Sequence, residues 1–408
     1  MRVWQFTEQP YHPVWDAVPG PLKNILPNGH IDPRIAADLY DQYLDQWQMC
    51  DDLGINILIN EHHATATSMS ASCTLPLAVL ARTTKKVRLM SLGIPIANRP
   101  DPVRVAEEIA MIDCYSRGRF EMGFVRGAQY EVFAAMGDPV TQTRRFGEAY
   151  RLILKALTSH DAPFDWQGEF FQYRGVNIWP RCYQDPHPPV WMVSIGAGPG
   201  AWIGEQRARV ATFLTGRDSK KLFDAYRRRW IELGWGMAPP EQFGYMAMVA
   251  VADTEAEAKR RAWHIAGYTR TQTRLAPQFN NPPGYTPARF VALDQRLRTD
   301  PAYVAESRTV QRSDGSRVPL YDATIDDLID AHVVFAGTAD QVFEQVRAYN
   351  RHVGGVGNLL MMGQGGDLSH ADTVDSLQRF SRDVLPRLQE LRVDDYEPAK
   401  ASVQPIAA

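Results

Sequence analysis

Residues 55–63 read INILINEHH. A short run of branched apolar residues is the pattern of a parallel strand buried on both faces in an α/β protein. The run stops abruptly at Glu61, His62 and His63, so these polar groups stand at the carboxyl end of the strand. In open α/β sheets and in (β/α)8 barrels that end is where ligands bind. The plain reading of each imidazole is a hydrogen-bonded plug for the strand end. The functional reading is one imidazole facing a barrel mouth as an acid, base or donor. Neighbouring residues on a strand project to opposite faces, so His62 and His63 do not easily share one ion, and no metal is expected.

Outward from this stretch the chain alternates strand and helix. Strands are expected at 2–7, 55–60, 87–93, 119–124, 188–194, 209–214, 244–251 and 356–362. Asp32–Pro33 and Asp101–Pro102 each combine an N-cap with a first-turn proline and open helices ending at Gly54 and Gly118. Further helices are expected at 75–83, 142–158, 218–233, 254–270, 338–352 and 371–390. Residues 164–178 alternate around Gly168 and Gly175 and read as a small external hairpin. A long Pro- and aromatic-rich loop separates the first strand from the first helix. Residues 271–330 lose the periodicity and read as an insertion, and the tail from 394 as disordered. The sum is one domain over 1–393, a (β/α)8 TIM barrel with a front loop, a hairpin and a lid.

The composition agrees with a soluble enzyme. The 408 residues are 45% hydrophobic and carry a formal net charge of −3, with no long basic run to suggest nucleic acid or an anionic membrane. The start, MRVWQFTEQP, has no apolar signal segment, and no run reaches the length of a membrane span. Cys50, Cys73, Cys114 and Cys182 form no CxxC motif and read as reduced thiols in a cytoplasmic protein.

Two further features bear on chemistry. SIGAGPG at 194–200 places glycines between the fifth strand and a helix, where bare backbone N–H groups suit a phosphate. It is neither a dinucleotide fingerprint nor a P-loop, and a plain tight turn is the alternative. Arg126 ends the neighbouring strand and is placed to neutralise the same phosphate; its plain alternative is an ion pair with Glu131. One arginine and a helix-end nest suit a phosphate monoester such as FMN better than a triphosphate. Phe6, Tyr11 and Trp15 crowd the front and read either as core or as pocket wall.

Taken in order, EHH at 61–63, DPVRVAEEIAMIDCYSRGRF at 101–120, GFVRG at 123–127, PHPPVWMVS at 186–194, GTADQVFEQV at 337–346 and FSRDVLPRL at 380–388 resemble the bacterial luciferase-like family of flavin-dependent monooxygenases. The resemblance covers nearly the whole chain. It implies a barrel that takes reduced FMN from a separate NAD(P)H-dependent flavin reductase and uses O2 to oxygenate a small, largely apolar organic substrate through a flavin hydroperoxide. By position it implies His62 as the catalytic histidine and Arg126 as the phosphate contact. It implies Ser194, Gly196, Ala197 and Gly198 around the phosphate, and Leu92–Gly93 as a non-proline cis peptide under the flavin ring. Phe6, Tyr11, Glu61 and His63 are the expected substrate pocket, 271–330 a mobile lid, and a homodimer the expected assembly. Two positions depart from luciferase itself. Val125 replaces a reactive cysteine, and Ile195–Gly196 replaces Glu–Ser, leaving the phosphate to backbone amides and Arg126. The rival expectations are a deazaflavin-dependent hydride-transfer enzyme on the same scaffold, a metallohydrolase barrel using Glu61 and His62, and a non-catalytic partner subunit.

Overall fold

Strands β1 (Arg2–Thr7), β2 (Asn56–Ile59), β3 (Leu89–Ser91), β4 (Phe120–Val125), β5 (Val190–Val193), β6 (Arg209–Phe213), β7 (Phe243–Val251) and β9 (Asn358–Gln364) pair in parallel and close on themselves as an eight-stranded barrel. The computed structural model describes residues 1–18, 26–135, 137–272, 284, 309–320 and 322–391. Closure comes through β9, which pairs with β1 (Arg2↔Asn358) on one edge and with β7 (Gly244↔Asn358) on the other.

A strand not anticipated from the sequence, β8 (Val334–Gly337), lies beside the upper half of β7 in the register Met248↔Val334, while the lower half of β7 pairs with β6 at Phe243↔Val210. The nine residues of β7 are long enough to hold both partners on one edge.

Period-two alternation divides the strand side chains between two apolar regions. Val3, Ile57, Ile59, Leu89, Phe120, Met122, Val190 and Met192 point outward under the helices, while Trp4, Phe6, Leu58, Met90, Leu92, Trp191, Met246, Met248, Leu360 and Met362 fill the barrel interior. Fully burying one such side chain contributes about 1.5–3 kcal/mol. The two layers together are the main force that holds the fold.

The helices begin and end where the sequence signals stood. In α1 (Pro33–Leu53) the Asp32 carboxylate accepts from Arg34 N at 2.8 Å, and Gly54 terminates the helix at φ 70°. The helix α2 spans Thr74–Thr83. In α3 (Pro102–Ser116) Asp101 caps through Arg104 N, and the left-handed C-cap is Arg117, with Gly118 just beyond it. The external hairpin pairs Phe164–Gln167 with Gln172–Val176. The front loop contains a short helix, Pro13–Ala17.

The amino end of the barrel is closed by one carboxylate. Glu121 of β4 is fully buried and accepts from Trp191 Nε1 at 2.6 Å, from Arg88 Nε at 2.6 Å, from Arg209, and from Arg2 at 3.5 Å. The open end is therefore the carboxyl end.

Of the expected lid at 271–330, the described part includes the hairpin Thr309–Gln311/Arg317–Pro319 and the helix Ile325–Asp330; residues 273–283, 285–308 and 321, and the tail from 394, lie outside the described residues. Among the described residues no helix is long and apolar enough to cross a membrane.

Candidate active site

The loops after β1 to β5 bring Glu8, His62, Leu92–Gly93, Arg126 and Ser194–Gly198 to the carboxyl end of the barrel. His62 continues the inward phase of β2, four residues beyond Leu58. Its N–H donates to Ser70 O at 2.9 Å, which fixes the turn out of the strand. The ring lies between two carboxylates: Nδ1 is 2.9 Å from Glu131 Oε1, and Nε2 is 3.6 Å from Glu8 Oε1. The side chain stays 20% exposed, and both glutamates are buried.

The electrostatics follow from this packing. Burial alone disfavours a charge on His62, but Glu131, Glu8 and Glu61 outweigh it and push the imidazole up to about 9. Burial would likewise raise Glu131; the His62 ring and the backbone N–H groups of His63 (2.8 Å) and Ala128 (3.0 Å) hold it below the usual carboxylate range. Glu8 has no such set of donors. Burial pushes it up to about 7 against the pull of His62 and the neighbouring Asn60 amide. At neutral pH the site therefore holds a protonated imidazole fixed by an ionised Glu131, with Glu8 near its midpoint beside the other ring nitrogen.

The other residues of the EHH motif take different places. Glu61 points to the opposite side from His62, is buried, and binds Arg99 Nη2 at 2.7 Å and Cys73 N at 3.3 Å. His63 is part-exposed and reaches Glu61 through Nε2 at 3.3 Å. Period-two geometry separates these two from His62. Phe6 lies inside the barrel, whereas Tyr11 belongs to the outer layer, where its hydroxyl accepts from Asp32 N at 2.9 Å.

The Leu92–Gly93 peptide is cis. Its strand is met closely by β4, because a Cβ on Gly123 would stand 2.3 Å from Ser91 O and 2.6 Å from Leu92 Cδ1. Glycine there permits the approach, a role the sequence reading did not assign. Arg126 follows β4 and donates to Thr143 Oγ1 at 3.3 Å, while Glu131, its expected alternative partner, faces His62. In the paired strand β5 the register Phe124↔Met192 sets Arg126 level with Ser194. Gly196 caps the nine-residue helix Ala197–Glu205, with Ser194 Oγ accepting from Gly196 N at 3.3 Å. Ala197 and Gly198 are exposed in the first turn, where N–H groups have no intrahelical acceptor.

Buried polar atoms without a hydrogen-bond partner concentrate in the same quadrant. Glu8 Oε1, Gln9 Nε2, Asn60 Oδ1, Asn98 Nδ2, Arg99 Nε and Tyr130 Oη all lie in the loops after β1 to β4. Buried polar groups are ordinarily satisfied, so these atoms have capacity for a further polar partner. Neither Glu8 nor Glu131 was a candidate from the sequence. Glu8 directly follows β1, as His62 follows β2, so the strand-end rule reaches it. Glu131 is brought in by the fold alone. Among the described residues, no three His, Cys, Asp or Glu side chains are grouped so as to hold a metal ion.

The sequence profile of the luciferase-like monooxygenases matches residues 26–355. The chain belongs to this family. A curated relative, the oxygenase component of the flavin-dependent trigonelline monooxygenase of Acinetobacter baylyi, is 33% identical over 40% of this chain and 45% of its own length. The match thus spans less than half of that protein. Among solved structures, the oxygenating constituent of 3,6-diketocamphane monooxygenase from Pseudomonas putida, in complex with FMN, superposes with a TM-score of 0.63 at 19% identity, covering 86% of this chain and 94% of that one. An F420-dependent secondary alcohol dehydrogenase superposes at 0.60 with 14% identity, covering 86% of this chain and 94% of that one. At these identities the superpositions establish the barrel fold, which luciferase-like oxygenases share with F420 enzymes.

Proposed function

We propose that this luciferase-like protein is the oxygenase component of a two-component monooxygenase, using reduced FMN and O2 to oxygenate a small organic substrate. The observation that carries the reading is the His62–Glu131 pair, 2.9 Å apart, at the same barrel rim as Leu92–Gly93, Arg126 and the 194–198 turn. In this proposal Arg126 and the amides of Ala197 and Gly198 hold the phosphate of FMN, with Ser194 and Gly196 shaping the turn. Leu92 and Gly93 support the flavin ring. The unpartnered atoms of Gln9, Asn60, Asn98, Arg99 and Tyr130 in that quadrant fit a polar cofactor better than an apolar plug. Reduced FMN would supply the electrons that activate dioxygen.

The chain's own residues do the rest. His62, protonated at neutral pH, donates a proton at its ring, and Glu131 fixes the ring's orientation. Phe6 and Leu92 form an apolar wall that keeps water away. His63 lies at the part-exposed edge of the pocket. Glu61 supports it from behind, and Tyr11 braces the front loop from the outer layer.

The proposal also carries a flavin reductase as transient partner, a cytoplasmic setting where NAD(P)H sustains it, and a homodimer. Leu75 and Val79 on α2 (71% and 49% exposed) with Met111 and Tyr115 on α3 (38% and 52%) offer the dimer an apolar face.

The test is oxygen uptake by the purified protein with photoreduced FMN, scored across ketones, aldehydes, sulfonates and N-heterocycles. Substrate-dependent uptake with an oxygenated product is expected. Hydride transfer with a reduced deazaflavin and no oxygen uptake would favour the F420 reading instead, and inertness toward both would favour a partner subunit.

A further inference from the structure

The two carboxylates that flank His62 are not equivalent. Glu131 takes three donors: Nδ1 of His62 and the N–H groups of His63 and Ala128. These hold it as a fixed anion. Glu8 is different. Its backbone is anchored by its own N–H donating to Gln364 O at 2.9 Å, so its place beside His62 is set by the β1–β9 pairing. Its side chain is 2% exposed, and Oε1 has no hydrogen bond, although it lies 3.6 Å from Nε2. That separation is about half an ångström beyond a hydrogen bond, a gap that a small side-chain rotation closes.

We propose that Glu8 is a positioning residue for His62, standing on the Nε2 side of the ring as a proton reserve. The assignment rests on the monooxygenase reading, in which the imidazole gives up a proton during turnover. When Nε2 has released its proton, the O–H bond of Glu8 breaks as a new N–H bond forms at Nε2. The Glu8 carboxylate is then re-protonated from solvent past the part-exposed ring. The step is a proton transfer with no change of oxidation state. Glu131 cannot perform it, because it already stabilises the opposite nitrogen as an anion. Burial favours a Glu8 that carries a proton near neutral pH, in agreement with this role.

The groups that face the pair among the described residues enter the pH dependence. These are Asn60 and Glu61 from the β2 loop, and Tyr130 and Glu131 from the segment after β4. Of them Tyr130 is raised far above the neutral range. Glu8 and His62, 3.6 Å apart, are the pair whose coupling the titration follows.

The experiment uses the full chain and the variants E8Q and E8D. In the first arm, histidine-selective NMR follows the His62 ring from pH 5 to 10 without flavin. The wild type should titrate well above free histidine with a second inflection near neutrality. E8Q should lose that inflection and bind the ring proton at least about tenfold more weakly, and E8D should restore most of both. In the second arm, oxygen consumption with photoreduced FMN is followed over the same range. E8Q should lose a limb of the rate profile near pH 7, while its FMN dissociation constant stays within about twofold of wild type. A His62 titration in E8Q that matches the wild type would overturn the assignment. A wild type that shows the coupled titration yet consumes no oxygen would overturn the monooxygenase reading and leave the Glu8–His62 coupling standing as a purely electrostatic pair.

Discussion

Nδ1 of His62 lies 2.9 Å from Oε1 of Glu131, although 69 positions separate the two in the chain. The first leaves β2 and the second opens the short helix Glu131–Ala134 after β4. Their meeting point is the barrel mouth, and the ion pair they make holds the proton on Nδ1 and fixes the orientation of the ring.

If that pair serves proton delivery, H62A should bind FMN within a few-fold of wild type but lose coupled oxygenation, releasing hydrogen peroxide in place of product. Product yield per reduced FMN, measured against peroxide by a peroxidase assay, checks it. Near wild-type coupling in H62A would remove His62 from the mechanism.

The same cluster sets a pH dependence of stability. His62 is raised from 6.5 to about 9 in the folded protein, and Glu8 from 4.5 to about 7. Both groups hold more protons folded than unfolded across those intervals, so stability falls as pH rises through them. Their contributions are complete below pH 4.5 for Glu8 and below 6.5 for His62. Glu131 is lowered and acts oppositely, its contribution being lost as pH drops through the acid range. Thermal melts should therefore show the wild type losing its advantage over H62Q between pH 6.5 and 9. A constant difference across that window would contradict the buried pairing.

Arg126 is level with the 194–198 turn, so R126A should weaken FMN about tenfold and riboflavin little. Fluorescence titration with the two flavins separates them. Equal losses would place the phosphate elsewhere.

G123A puts a methyl 2.3 Å from Ser91 O, against backbone that cannot yield. The expected cost is about 1–3 kcal/mol, read as a lower urea midpoint. Flavin affinity should fall with it, because the same contact supports the Leu92–Gly93 peptide.

Much of this site could be read from the residues in order, and the reason is local. The strand run before His62, the Asp–Pro helix starts and the Gly-rich turn at 196–198 each act over a few positions, and all three stand where expected. Strand β8 escaped because it is only four residues long and lies between the expected insertion at 271–330 and the helix expected from 338, in a segment given no element. The motif EHH looks like one cluster in the sequence, but the pleat sends Glu61 to Arg99 and His62 to the mouth. The partners that set the chemistry of His62, Glu8 and Glu131, lie 54 positions before it and 69 after. Such partners are fixed by barrel closure, which no local pattern encodes.

The carboxylate knot at the barrel base has a consequence for traffic. With Glu121 drawing Arg2, Arg88, Arg209 and Trp191 together beneath a packed interior, the barrel has no passage through its base. In the proposed reaction, cofactor, oxygen, substrate and product would all exchange through the carboxyl rim.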